Sequence, residues 1–234
     1  MGDVKPLAYY TALIREAYSG LGYSLGWEFL YTPAATLRCP NGFMLVGINP
    51  GGDAFGVAES VEEGNAYLIQ EWSPDGARLQ QQVRSFFSLL SDRFLGHTAQ
   101  GDALLGQTLT TNFCPFRSPT WRELPRRPEA IFFSQRLWTD LLSDITPRVV
   151  LCMGALPYRY LQHILRRQAE TVDGERRFPT GWGNYDFALQ LYSIKGRPVV
   201  LARLLHFSQY KLMSRETCRP HVRAFVDALH AAAT

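Results

Sequence analysis

Two apolar runs and one β-rich, threonine-bearing run in this chain end in polar side chains that could engage a ligand. Phe43 to Ile48 runs into Asn49-Pro50-Gly51-Gly52, Thr108 to Thr111 into Asn112-Phe113-Cys114-Pro115, and Val199 to Leu205 into His206-Phe207-Ser208. In the first, Pro50 fixes its own φ and holds Asn49 extended. Gly51 and Gly52 permit positive φ and a close approach of backbone N–H groups to a ligand. That arrangement places Asn49 at the carboxyl end of a strand, where open α/β sheets bind ligands. In the third, a strand ends in His and Ser and is followed by Gln209-Tyr210-Lys211-Leu212-Met213-Ser214-Arg215, which mixes apolar and basic side chains as a DNA-entering loop requires.

Each feature also has a purely structural reading. Asn-Pro-Gly-Gly suits an ordinary turn. Asn112 could cap its strand, His206 could be a satisfied strand-end histidine, and Leu212 and Met213 could begin the core face of the last helix. The basic stretch Arg117, Arg122, Arg126 and Arg127 around Trp121 forms a second basic patch that could track a nucleic-acid strand, although such stretches are usually just solvated surface.

Taken together, Gly47-Ile48-Asn49-Pro50-Gly51 and His206-Phe207-Ser208 resemble the motifs of the uracil-DNA glycosylase superfamily. The first is most similar to the mismatch-specific and single-strand-selective branches, which carry Asn where the classical enzymes carry Asp. Asn112-Phe113-Cys114-Pro115 resembles the single-strand-selective branch's Asn-Tyr-Cys-Pro, and Arg148 to Gly154 resembles the superfamily's central buried strand ending in Gly. The motifs occur in the superfamily's order over most of the chain.

The resemblance implies a monofunctional glycosylase that hydrolyses the N-glycosidic bond of uracil, or of a related deaminated or modified base, extruded from single- or double-stranded DNA. It implies neither metal nor cofactor. Asn49 would place the attacking water, and His206 would hydrogen-bond the oxyanion developing on the base. Asn112 would read the base edge, since one fixed amide satisfies both N3–H and O4 of uracil. Gly47, Ile48, Pro50, Gly51 and Ser208 would complete the pocket. Tyr210, Lys211, Leu212, Met213 and Arg215 would meet DNA, with Leu212 or Met213 as the wedge that fills the gap left by the extruded nucleotide.

Two departures from the family pattern matter. The stretch where members place a ring against the base is Glu59 to Gly64 and has none, so Phe55 or Tyr67 must serve. His-Phe-Ser also replaces the family's His-Pro-Ser. Together they point to a substrate other than plain uracil, while Asn49 in place of Asp and the missing ring favour the alternative of a protein of this fold that binds modified or unpaired bases with little turnover. An unrelated hydrolase or nucleotide enzyme is disfavoured, because the chain has neither G-x-S-x-G nor G-x-x-x-x-G-K-[ST].

Composition fits such a domain. With 234 residues and 46% hydrophobic content the chain can bury one core, and a net charge of +3 suits a few phosphate contacts but not a histone-like binder. Cys39, Cys114, Cys152 and Cys218 are scattered, which argues against an iron–sulfur cluster and, with no apolar run of 18 residues, for a cytoplasmic protein.

Periodicity predicts helices at Leu7–Tyr18, Arg78–Phe94, Pro128–Ile145, Ala155–Arg167 and Arg215–Ala232. It predicts strands at Phe43–Asn49, Thr108–Phe113, Arg148–Met153, Phe187–Ile194 and Val199–Leu205. The expected architecture is α/β, one domain over residues 1–234. It is a three-layer α/β/α sandwich around a mainly parallel four-stranded sheet, as in uracil-DNA glycosylases, and the protein is expected to be monomeric and free of membrane.

Overall fold

The structure is a computed structural model and describes residues 4–96 and 101–234. In chain order the elements begin with helix α1 (Leu7–Leu21), strand β1 (Gly26–Glu28) and a 3-10 turn (Ala34–Arg38). Strands β2 (Phe43–Gly47) and β3 (Gly56–Ala58) follow, then helices α2 (Ala66–Ile69), α3 (Pro74–Phe94) and α4 (Ala103–Gly106). Next come β4 (Leu109–Asn112), α5 (Arg127–Asp144), β5 (Val149–Met153) and α6 (Ala155–Gln168). Strands β6 (Thr171–Val172), β7 (Arg176–Pro179), β8 (Asp186–Ile194) and β9 (Arg197–Leu204) lead to α7 (Arg219–Ala233).

The main sheet is mixed and has seven strands. Four run parallel in the order β4-β2-β5-β9. The expectation of a four-stranded sheet is therefore corrected: β8 pairs antiparallel with β9, and β6 and β7 pair antiparallel with β8. The cause is local. Lys195 and Gly196 both take positive φ, 53° and 69°, so the chain reverses in a two-residue turn of the kind that joins antiparallel strands. A separate two-stranded sheet pairs β1 with β3 in parallel.

Strand side chains alternate between two cores. Phe43 and Leu45 of β2, with Val149, Leu151 and Met153 of β5, join Phe86, Phe87 and Phe225 in one cluster. Met44 and Val46, with Val150 and Cys152, join Tyr10, Trp138 and Leu161 in the other. Both faces of these strands are buried, which is why they read as continuous apolar runs. The four cysteines are buried and unbonded. Among the described residues no helix is long and apolar enough to cross a membrane, and no group of three or more His, Cys, Asp or Glu is placed to hold a metal ion.

The loop after β9 departs from the expected wedge. The Leu212 N–H donates to the Tyr210 carbonyl at 2.9 Å, a tight turn that drives the Leu212 side chain inward, where it is fully buried in the cluster containing Phe207. Leu212 is a core residue; Met213 is half-buried against the same cluster, and its N–H donates to Gln82 Oε1 at 2.8 Å. Leu212→Ala is expected to lower stability by about 2–5 kcal/mol, as for other buried leucines. Urea denaturation checks this: a loss below about 1 kcal/mol would return Leu212 to the surface.

Candidate functional site

Because β2, β4, β5 and β9 are parallel, their carboxyl ends share one edge of the sheet, and a cleft of about 1330 Å³ opens there. Gly47, Ile48, Asn49, Gly51, Tyr67, Asn112, His206 and Ser208 all line it. The structure thus brings together residues from three distant motifs. Phe55 is not among them. It is 70% exposed, because the chain turns outward to pair β3 with β1 from Gly56 onward; of the two aromatic candidates only Tyr67 forms a wall, with its ring edge-on to Trp72 at 4.8 Å. Pro50 is buried beneath the loop rather than facing the cleft, and Tyr210, Lys211, Met213 and Arg215 lie outside the cleft lining. Lys211 and Ser208 border a smaller neighbouring hollow of about 510 Å³.

The orientation of Asn49 follows from its neighbours. Ser118 Oγ donates to the Thr120 carbonyl at 2.8 Å, so it can only accept from Asn49 Nδ2, 2.9 Å away; Nδ2 also donates to the Pro50 carbonyl at 2.9 Å. The amide nitrogen is engaged on the protein side, leaving Oδ1 without a partner among the described residues, as an acceptor toward the cleft. An aspartate here would set a carboxylate oxygen against the Pro50 carbonyl and an accepting hydroxyl, an unfavourable exchange.

Asn112 stands beside this loop because β4 pairs with β2 in the register Gly47↔Asn112. Its side chain lies across Gly47, where an added Cβ would come 2.2 Å from Asn112 Oδ1, so the approach requires glycine. Asn112 is 9% exposed, and its side-chain amide has no hydrogen-bond partner among the described residues. A nearly buried amide left open to a cleft can present a donor and an acceptor to a ligand edge.

His206 follows β9, with its ring partly buried. Ser208 Oγ lies 2.7 Å from Nδ1, and the Ser208 backbone N–H, which can only donate, points to the same nitrogen at 3.4 Å. Nδ1 is therefore the acceptor and Nε2 carries the proton of a neutral ring. Burial holds the ring's pKa below the usual 6.5. The Phe replacing the family's proline, Phe207, is 2% exposed and packs on Phe86 at 5.5 Å, anchoring the loop in the core.

Among the lining or supporting residues that escaped the sequence reading in these roles are Glu28, Arg117 and Ser118. Arg117 belongs to the basic stretch read as surface, yet it is 20% exposed and bridges the site. Nη2 meets Glu28 Oε2 at 3.1 Å, while Nη1 donates to the Gly51 carbonyl at 2.6 Å. Burial pushes the Glu28 carboxyl pKa up, opposed by hydrogen bonding from Tyr31 and by the Arg117 charge. Backbone bonds reinforce the strap: Glu28 N–H to the Pro115 carbonyl, Arg117 N–H to Gly26 and Ser118 N–H to Pro50. Of the remaining basic stretch, Arg126 pairs with Glu129, Arg127 donates to the carbonyl of Arg122, and Arg122 itself lines the cleft. No local pattern marks Glu28, since its role comes from pairing β1 against residues 115–118.

Comparison of the chain with protein-family models and with curated proteins found no match.

The Glu28–Arg117 pair should behave as a coupled unit. Arg117→Met is expected to cost about 2–3 kcal/mol, because it leaves a desolvated carboxylate and the Gly51 carbonyl without their charged donor. In a double-mutant cycle with Glu28→Gln the two losses should fall short of additivity by more than about 1 kcal/mol. Additive losses in denaturant unfolding would show that the two side chains act independently.

Proposed function

We propose that this protein is a monofunctional DNA glycosylase of the uracil-DNA glycosylase type, hydrolysing the N-glycosidic bond of uracil or a related deaminated or modified base extruded from DNA. On this reading the helices covering both faces of the sheet form the outer layers of the three-layer arrangement that the sequence motifs imply, with the antiparallel strands as an extension. The protein is proposed to act as a monomer, without metal or cofactor.

The observation that carries the proposal is the meeting of three complementary groups in one cleft: an acceptor oxygen on Asn49, an open amide on Asn112 and a neutral imidazole donor on His206. In glycosidic hydrolysis the C1′–N bond breaks with its electron pair passing to the base, water oxygen bonds to C1′, and the water's proton is released. Asn49 Oδ1 can orient that water through one of its hydrogens, but an amide barely accepts the proton, so solvent must take it. His206 Nε2–H faces the growing negative charge, and a donor placed there is worth about 3 kcal/mol of barrier. Asn112 reads the base edge, and a base with the inverted donor pattern leaves a buried pair unsatisfied, costing about 1–3 kcal/mol. Tyr67 supplies the ring. The amino end of α6 adds a favourable field, since Gly154 to Pro157 line the same cleft and the helix presents its positive end there.

A second reading, base recognition with little turnover, is favoured by one observation: Asn49 carries no group able to take the water's proton. Two measurements separate the readings. Asn49→Ala is expected to reduce excision by at least 10²-fold while DNA affinity changes less than about threefold, since water orientation matters only in the transition state. Excision assays on uracil, hypoxanthine, xanthine and hydroxymethyluracil oligonucleotides check this; no excision of any of them by the wild type favours binding alone.

The pH profile tests His206. With the folded pKa below 6.5, the ring stays neutral above that value, so activity should show no His206 limb above pH 6.5 and should fall only at lower pH as the ring is protonated. Stability should move the same way: below pH 6.5 the unfolded chain takes up a proton that the folded ring resists, so wild type loses stability relative to His206→Gln as pH falls toward the folded pKa. An activity limb above pH 6.5 that disappears in the variant would contradict the assignment.

A further inference from the structure

Next to the cleft lies an aromatic and basic cluster in which the motif resemblance assigns Tyr210, Lys211 and Arg215 to DNA but gives no role to Trp182 and Tyr185. Tyr210 is one residue beyond Gln209, which lines the cleft, and its N–H donates to the His206 carbonyl at 3.0 Å. Around Tyr210 stand Tyr185, with ring centroids 5.0 Å apart at 65°, and Trp182, at 6.0 Å and 85°. The Arg215 guanidinium lies 4.6 Å from the Trp182 ring centroid. Tyr185 is 50% exposed, leaving ring surface open to solvent.

The presentation is built rather than incidental. Trp182 and Tyr185 sit on the connection between β7 and β8, where Thr180 N–H and Oγ both bond the Tyr185 carbonyl, the Trp182 N–H returns to Thr180 Oγ, and the Tyr185 N–H meets the Trp182 carbonyl. Gly181 takes φ +73°, and a Cβ there would strike the His221 ring and the Thr217 carbonyl at 2.6 and 2.7 Å, so the loop packs directly onto the start of α7. Of the cations near the cluster, Arg177 pairs with Glu175 at 3.0 Å and Arg176 lies over the Phe178 ring, while residues 206–215 hold Lys211 and Arg215 and no acidic residue.

We propose that Tyr185, backed by the half-buried Tyr210 and Trp182, forms a stacking platform for single-stranded DNA, which takes an unpaired base flanking the cleft while Lys211 and Arg215 meet the backbone. Open aromatic surface stacks on any base, and interleaved cations supply the sequence-independent attraction. The strand's direction through the cleft rests on the glycosylase reading; binding of lesion-free DNA at the platform does not.

The test is the affinity of the full chain for a lesion-free, labelled 12-nucleotide oligothymidylate, measured by fluorescence anisotropy over a range of salt. Tyr185→Ala, at an exposed position, is expected to weaken binding by about 5- to 100-fold, the effect of losing one stacked base. Tyr185→Phe should retain wild-type affinity, and Lys211→Gln should lower the slope of log affinity against log salt by about one, which Tyr185→Ala leaves unchanged. Unchanged binding by Tyr185→Ala, or a wild type preferring the matching duplex, would overturn the proposal. Excision assays on the same variants keep the two claims apart: Tyr185→Ala that binds like wild type sinks the platform even if excision persists, and a wild type that binds the oligomer through Tyr185 but excises nothing sinks only the glycosylase reading.

Discussion

The site depends on parallel pairing of β2 with both β4 and β5. That pairing is what makes residues distant in sequence neighbours at one sheet edge, because parallel strands all finish on the same side. The register then does finer work. With Gly47 opposite Asn112, a one-residue slip would put a different β4 side chain beside the Asn49 loop and turn Asn112 to the other face. The absence of a side chain at Gly47 converts that register into contact, since Asn112 occupies the space a Cβ would need.

A second level of order fixes what the edge presents. The strap from Pro115 to Ser118 grips the loop after β2 on two consecutive carbonyls: Pro50 accepts from Ser118 N–H and Asn49 Nδ2, and Gly51 accepts from Arg117. In a trans peptide the N–H points opposite to its carbonyl, so tying these oxygens to the strap turns the N–H groups of Gly51 and Gly52 away from it. Neither N–H has a partner among the described residues, and both glycines line the cleft. The same strap decides the orientation of the Asn49 amide through Ser118. Loop, amide and backbone donors are thus set by one short segment, and Glu28 holds that segment's cation.

Much of the scaffold was legible because it follows from local periodicity. The buried strands β2, β5 and β9 are near-continuous apolar runs, and α5 and α6 follow helical spacing, so their positions emerge within a residue or two. Asn49 and His206 were visible as polar residues closing such runs, and Asn112 as the end of a short β-branched run. What stayed hidden depends on pairing through space. Arg117 looks like one of several surface arginines until β1 is placed against residues 115–118, and Glu28 sits in a Gly- and aromatic-rich segment with no periodicity. Leu212 illustrates the opposite failure: an apolar residue among polar ones reads as a projecting wedge, and only the turn closed on the Tyr210 carbonyl shows that it points inward. The sheet's size was underestimated for a related reason, since short edge strands such as β6, two residues long, carry almost no pattern.

The antiparallel extension shapes the cleft's surroundings as well as the sheet's size. Strands β8 and β9 form one hairpin, so β9 carries His206 at its end while β8 begins at Asp186, directly after Tyr185. The register Ala188↔Arg203 brings the start of β8 alongside the end of β9, and the loops that flank these strand ends must therefore meet. One hairpin thus positions both the imidazole donor in the cleft and the aromatic cluster beside it. A purely parallel four-stranded sheet would end at β9 and leave Tyr210 without Trp182 and Tyr185. The extra strands consequently do more than cover an edge of the sheet: they place the Trp182–Tyr185 loop beside the His206 end of the cleft.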